Sequence, residues 1–266
     1  MSNPKILFGC RLHRLIFDSR EASLMKQISL TPRLNAALEM LTDNGSVRFD
    51  VAADVGCDHG KLSIALLQSG AAARVIASDI SISSLEKARL LAQSFGLEDR
   101  LCCIVSDGFS AYSDTSVDCA VLLGMGGELI ANILESEGVF SHKLKRLVMQ
   151  PMRGEAELRE YLYAHDYRIV SERIVFDAGR FYQLISAEPG NADPLPNGWP
   201  VGYYQFGAAA YESGEALLKP MLERYLGIMR KKLSKSPDDP PAALLREIGS
   251  CERILELISS KEETWL

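Results

Sequence analysis

Between Asp54 and Gly60 the chain reads Asp54-Val55-Gly56-Cys57-Asp58-His59-Gly60, placing two carboxylates and two glycines directly after the apolar run Val51-Ala52-Ala53. Where a buried strand gives way to a helix, glycines let the backbone approach a ligand, and the helix N-terminus offers N–H groups to an anionic end. A dinucleotide loop would want glycine two positions after Gly56. Asp58 stands there instead, and its carboxylate would repel a pyrophosphate. The same carboxylate suits the ammonium and sulfonium charges of S-adenosylmethionine. Nor is this a Walker loop, because Gly60-Lys61 is followed by leucine rather than serine or threonine.

Two more acids follow apolar runs. Asp79 lies 19 residues after Gly60, where a carboxylate can accept hydrogen bonds from both ribose hydroxyls; capping a helix that begins near Ser81 is the other reading. Asp107-Gly108 closes the next run and suits either a contact to the adenine amino group or a plain turn. Three acids at the ends of three consecutive strands favour the cofactor. Gly124-Met125-Gly126-Gly127 follows the fourth run, facing the transferred group, and three glycines in four residues suggest that backbone meets the substrate there. Gln150-Pro151, after the fifth, is a further candidate at the same rim. His59 could contact substrate, or cap and pack; His142 and His165 read as exposed helix or loop residues.

These residues need elements to hold them. Thr31-Pro32 reads as an N-cap and first helical position, with Leu34, Leu38 and Leu41 at helical spacing. Beyond it, strands at 49–54, 74–78, 101–106, 118–123 and 147–150 alternate with helices near 61–68, 84–95, 127–134 and 155–164, and Ser83 with Glu86 has capping-box spacing. Such alternation predicts an α/β fold: a Rossmann-like parallel sheet wound by helices on both faces. Two β-rich runs, 167–176 and 181–188, joined by Asp177-Ala178-Gly179-Arg180, add a terminal antiparallel hairpin, the usual finish of class I methyltransferases. The proline- and glycine-rich stretch 189–202 reads as a linker. After it, Leu218, Leu222, Tyr225 and Met229, then Leu244, Ile248, Cys251, Leu255 and Ile258, step at heptad spacing on either side of SKSPDDPP, predicting a C-terminal helical hairpin or short coiled coil.

A chain of 266 residues, 47% hydrophobic, can bury a core of that size. Its first residues hold no apolar run long enough for a signal peptide or membrane span, which points to the cytoplasm. Six cysteines (Cys10, Cys57, Cys102, Cys103, Cys119 and Cys251) without C-x-x-C spacing support neither a metal site nor a disulfide framework. The net charge of −6 argues against coating nucleic acid nonspecifically. From Lys219 to Lys235, however, six cations face one acid, which is a solvated helix face or an RNA-facing patch.

On these residues the chain resembles the bacterial tRNA (adenine-22-N1)-methyltransferase family. The likeness runs from about Ser29 to the C-terminus through Leu30-Thr31-Pro32-Arg33-Leu34, the 54–59 loop, Gly124–Gly127, Gln150-Pro151, Leu158-Arg159-x-x-Leu162, the 179–182 turn and the trailing helices. It implies S-adenosylmethionine held by Arg33, Asp54, Gly56, Cys57, Asp58, Gly60, Asp79, Ile80, Asp107 and Gly108. Methyl transfer would fall to Asp58 and Gly124, Met125, Gly126 and Gly127. For tRNA it implies contacts from His59, Gln150, Pro151, Arg153, Arg230, Lys231 and Lys232, with Lys143, Lys145 and Arg146 as further phosphate candidates. Two positions depart from the family pattern, Lys61 where an aromatic is usual and Met152 where asparagine is usual. Residues 1–24 have no counterpart and read as an extension before a start at Met25. A domain at 25–190 would carry the cofactor, and 191–266 the linker and hairpin, through which an oligomer could form. A small-molecule methyltransferase dimerised by the hairpin, or a noncatalytic nucleotide-binding protein, are the rival readings.

Overall fold

A computed structural model describes residues 27–112, 116–235 and 240–263. The extension 1–24, Met25 and Cys10 lie outside the described residues. Seven strands form one sheet: β1 (Phe49–Val55), β2 (Ala72–Asp79), β3 (Leu101–Val105), β4 (Cys119–Met125), β5 (Arg146–Pro151), β6 (Tyr167–Asp177) and β7 (Arg180–Pro189), in the order β3-β2-β1-β4-β5-β7-β6. The first five are parallel, and β7 runs antiparallel to both β5 and β6. Parallel strands covered on both faces need continuous apolar runs rather than alternation, and Cys119 to Leu122 of β4 are all fully buried. The order reverses between β1 and β4, which opens a crevice at their carboxyl ends.

Helices α1 (Pro32–Thr42), α2 (Lys61–Gln68) and α3 (Ile82–Ser94) pack into one apolar cluster. Helices α4 (Gly127–Ser136) and α6 (Glu155–Ala164) pack into the other, with the short α5 (Gly138–Ser141) between them in sequence. Thr31 caps α1 as its sequence implies, accepting from the Leu34 N–H. The cap of α3 is Ser81 rather than Ser83: its hydroxyl accepts from Ser84 N, so the helix starts two residues before the capping-box spacing suggested.

A third cluster joins the hairpin's Ile174 to α7 (Ala208–Ser213), α8 (Leu218–Leu233) and α9 (Ala242–Glu263). Helices α8 and α9 lie antiparallel, with Lys219 paired to Glu262 and Arg230 to Glu252. The stretch 189–202 read as a linker is exposed or half-buried apart from Trp199, which is only 5% exposed, and a packed strap follows it, with Phe206 2% exposed. Its anchor is Arg159 on α6, itself buried. Arg159 bonds Glu172 of β6 at 2.7 Å, Gln183 of β7 at 2.8 Å, and the carbonyls of Tyr204 and Gln205. Glu172 also accepts from Ala209 N, and a side chain at Gly207 would collide with its carboxylate. Among the described residues no helix is long and apolar enough to cross a membrane.

Candidate cofactor and methyl-transfer site

Each loop at the carboxyl edge of the sheet follows directly from a buried strand. After β1 the chain turns through Gly56 (φ 72°), Asp58 (φ 50°) and Gly60 (φ 71°) into α2. The turn is pinned to its neighbour: Gly56 and Cys57 donate to the Ser78 carbonyl, and Asp58 N donates to Asp79 Oδ2. The result is a cleft of about 510 Å³, inside the size range of small-molecule sites, whose lining includes Arg33, Asp54, Gly56, Asp58, His59, Gly124 and Met152.

Asp54 is buried at the base of this cleft, its Oδ2 accepting from Ser63 Oγ at 2.6 Å. Burial pushes its carboxyl up to about 6, opposed by the bonds from Ser63 and reinforced by the nearby Asp79. Asp58 is exposed and pairs with His59 Nδ1 at 2.7 Å, while His59 Nε2 lies 3.2 Å from Lys87 Nζ. The arrangement fits a neutral imidazole that donates to Asp58 and accepts from Lys87. Arg33 reaches in from α1: its Nη1 donates to Gln150 Oε1 at 3.1 Å, its guanidinium lies 4.9 Å from the Tyr182 ring, and its buried Nε has no hydrogen-bond partner.

The glycines differ in what demands them. A side chain at Gly56 would strike Met125 Cε, and one at Gly60 would strike Ala88, so Gly60 serves the close approach of α2 and α3. At Gly127 a Cβ would fall 1.8 Å from the Gly154 carbonyl oxygen; this glycine lets the start of α4 sit on the loop after β5, where its N–H bonds Arg153 O. Gly124 (φ 78°) faces open space, and Gly126 meets only Arg153 Nε at 3.9 Å. Packing therefore explains Gly127, while Gly124 is exposed and a side chain would have room at both Gly124 and Gly126; the Gly126 carbonyl already accepts from Ile130 N at the start of α4.

Asp79, Ile80, Asp107 and Gly108 stand along the same edge, outside the cleft lining. Asp79 Oδ1 also accepts from Ser81 N, so it serves the start of α3 as well as facing the edge. Ile80 is 74% exposed and Asp107 is exposed, whereas Gly108 is buried against Ile133. Three expectations need correcting. Gln150 and Pro151 are buried, and Gln150 holds Arg33 rather than facing a substrate. Lys145 and Arg146 sit at the opposite, amino-terminal edge, where Lys145 pairs with Asp118 and Arg146 lies between Asp43 and Glu188. Arg230 is paired with Glu252, while Lys231 and Lys232 beside it are exposed. Arg153 does reach the rim, beside Gly126.

Lys87 was not legible as a site residue, since it comes from α3, remote in sequence, and no motif marks it; Thr31, Leu34 and Tyr182 fall in segments that carry the family likeness, but nothing local to them showed that they meet the cleft or Arg33. The cysteines at 57, 102, 103, 119 and 251 are free thiols, and burial raises those of Cys57, Cys103, Cys119 and Cys251. Among the described residues no cluster of three or more His, Cys, Asp or Glu could hold a metal.

A methyltransferase-domain family matches residues 30–185. The tRNA (adenine(22)-N(1))-methyltransferase of Bacillus subtilis strain 168 is 30% identical over 174 residues, covering 65% of this chain and 71% of that protein. The solved B. subtilis m1A22 tRNA methyltransferase TrmK superposes with a TM-score of 0.72 at 24% identity, over 88% of this chain and 98% of that one. A Streptococcus pneumoniae protein crystallised with S-adenosyl-L-methionine gives 0.74 at 24% identity, over 85% and 100%. At these identities the two structures speak to the fold.

Proposed function

Because the chain belongs to the methyltransferase family of the B. subtilis tRNA (adenine(22)-N(1))-methyltransferase, we infer that it transfers a methyl group from S-adenosylmethionine to N1 of an adenine in tRNA, at position 22 in the D-arm region. The observation that carries the reading is a cleft at the sheet reversal whose lining combines a buried carboxylate, Asp54, a guanidinium, Arg33, and the exposed backbone of Gly124. With tRNA as substrate, the place of work is the cytoplasm.

The residues present fit the cofactor. Asp54 offers a carboxylate to an ammonium group, and the unpartnered buried Nε of Arg33 leaves a donor for the carboxylate of an amino acid. Asp79 is placed for ribose hydroxyls, exposed Ile80 for a face of the nucleobase, and Asp107 for its amino group. S-adenosylmethionine supplies a methyl group on a positively charged sulfonium. Adenine N1 has a lone pair, so no strong base is required, and orientation and field dominate the barrier. As positive charge develops on the base, the exposed Asp58 carboxylate, steered by His59, faces the cleft to stabilise it. The exposed backbone at Gly124 would accept from the base's amino group. N1 lies on the Watson–Crick edge, so the target must first leave its stack.

Incubation with unmodified tRNA and labelled S-adenosylmethionine, followed by mass spectrometry of the nucleosides, should yield 1-methyladenosine, and replacing adenine 22 should remove it. A label on any other nucleoside, or none on tRNA, would sink the reading.

A further inference from the structure

The hairpin of β6 and β7 continues past the sheet. Met149 pairs with Ile185, so Pro151, the last residue of β5, stands level with Gln183, and residues 176–182 project beyond the carboxyl edge on the side where the cleft opens. The tip is a tight turn with positive φ at Ala178 (47°) and Gly179 (80°), the geometry of a rigid two-residue hairpin loop. Side chains alternate across it. On one face, Phe176 and Phe181 are cross-strand partners with ring centroids 4.8 Å apart, and Phe176 remains 49% exposed. On the other face, Tyr182 lies under the cleft residue Arg33, and exposed Arg180 lies two positions beyond it.

Helix α8 places cations beside this tip. Ala209, on α7 before the helix, donates to Glu172 of β6, while Arg224 donates to the Gly179 carbonyl at 3.0 Å with its guanidinium 5.9 Å from the Phe181 ring. The helix thus runs with β6 toward the tip. Its last nine residues, 225–233, extend about 13 Å further at 1.5 Å per residue and carry exposed Lys231 and Lys232. The tip thus has the cleft residue Arg33 on one face and Arg224 of α8 on the other, and offers an exposed aromatic ring and an exposed guanidinium. Unpaired RNA bases stack on aromatic rings and guanidinium planes, and phosphates pair with arginine.

We propose that the β6–β7 tip is a tRNA contact, with Phe176 stacking an unpaired base and Arg180 holding a phosphate while the target adenine occupies the cleft. The assignment rests on the reading of the cleft as a tRNA-methylating site. Both side chains are exposed, so Phe176→Ala and Arg180→Ala keep the core intact. The test measures tRNA binding by the full chain across a salt series, steady-state methylation, S-adenosylmethionine binding by calorimetry, and molar mass by light scattering. Phe176→Ala should bind tRNA roughly tenfold more weakly with an unchanged salt slope, and Phe176→Tyr should restore binding. Arg180→Ala should reduce the slope of log affinity against log salt by about 0.7 to 1. Both should raise KM for tRNA while kcat and cofactor affinity stay near wild type. If the wild type methylates tRNA and both variants match it, the tip assignment alone falls. Lost cofactor binding, or a changed molar mass marking the tip as a self-association surface, also overturns it. A wild type that neither binds nor methylates tRNA removes the underlying reading as well.

Discussion

A buried carboxylate lines the cleft, and the proposed cofactor makes its charge state decisive. Asp54 is raised from 3.8 to about 6, chiefly by burial, so the folded state holds its proton more tightly than the unfolded chain does. Its contribution to stability therefore declines as pH rises from about 4 to 6, and the ionised form costs up to about 3 kcal/mol at neutral pH in the cofactor-free protein. A cationic ligand needs that ionised form. Affinity for S-adenosylmethionine should consequently rise through pH 5 to 6.5 and level off above. Asp54→Asn should raise the cofactor-free melting temperature at pH 7 while weakening binding and flattening its pH dependence; calorimetry and a thermal melt check both. A steep profile retained in Asp54→Asn would reassign the titration. The rim glycines allow a second contrast. Gly127→Ala must push Cβ into the Gly154 carbonyl and should destabilise the fold, whereas Gly126→Ala has room and should melt near wild type with reduced kcat, because the added methyl enters the rim beside the Gly126 backbone and Arg153. If Gly126→Ala is fully active, that part of the rim does not meet the base.

At the scale of elements, the joint between the sheet and the C-terminal helices depends on one buried ion pair. Arg159 and Glu172 are 2% and 3% exposed, and the guanidinium's other donors go to Gln183 and to carbonyls of the strap. Removing one partner leaves the other as an uncompensated buried charge, so Arg159→Ala should lose about 3–5 kcal/mol of stability in a denaturant titration. Limited proteolysis should then cut within 190–207, which the wild type protects by packing Trp199 and Phe206. Arg159→Lys should not rescue, because an ammonium cannot reproduce the fork of bonds. A variant that resists cleavage would show that apolar packing of the strap suffices. The linker and strap were legible as a boundary through their prolines and glycines, but their packing was not, since Trp199 and Phe206 find their partners on α7, α8 and α9.

Across the whole molecule, net negative charge is compatible with the proposed RNA substrate because the cations are segregated. Lys145 and Arg146 serve the edge away from the cleft, Lys219 and Arg230 brace α8 against α9, and Lys231 and Lys232 extend exposed beyond the hairpin tip. Lys231→Ala with Lys232→Ala should therefore weaken tRNA binding and lower its salt slope by more than Arg230→Ala does; equal slopes in a salt titration would contradict that division. The sequence by itself determined the alternation of strands and helices, the terminal hairpin, the three acids and the glycine loops. All of these are local: apolar runs, turn residues and spacing within some twenty positions specify them. Only the tertiary structure decided which glycine is needed for packing and which has room for a side chain, that Gln150 holds Arg33, that Lys87 steadies His59, and which cations are paired. Those outcomes depend on contacts between residues that only the sheet order and the docking of α8 bring together, and no local pattern encodes them.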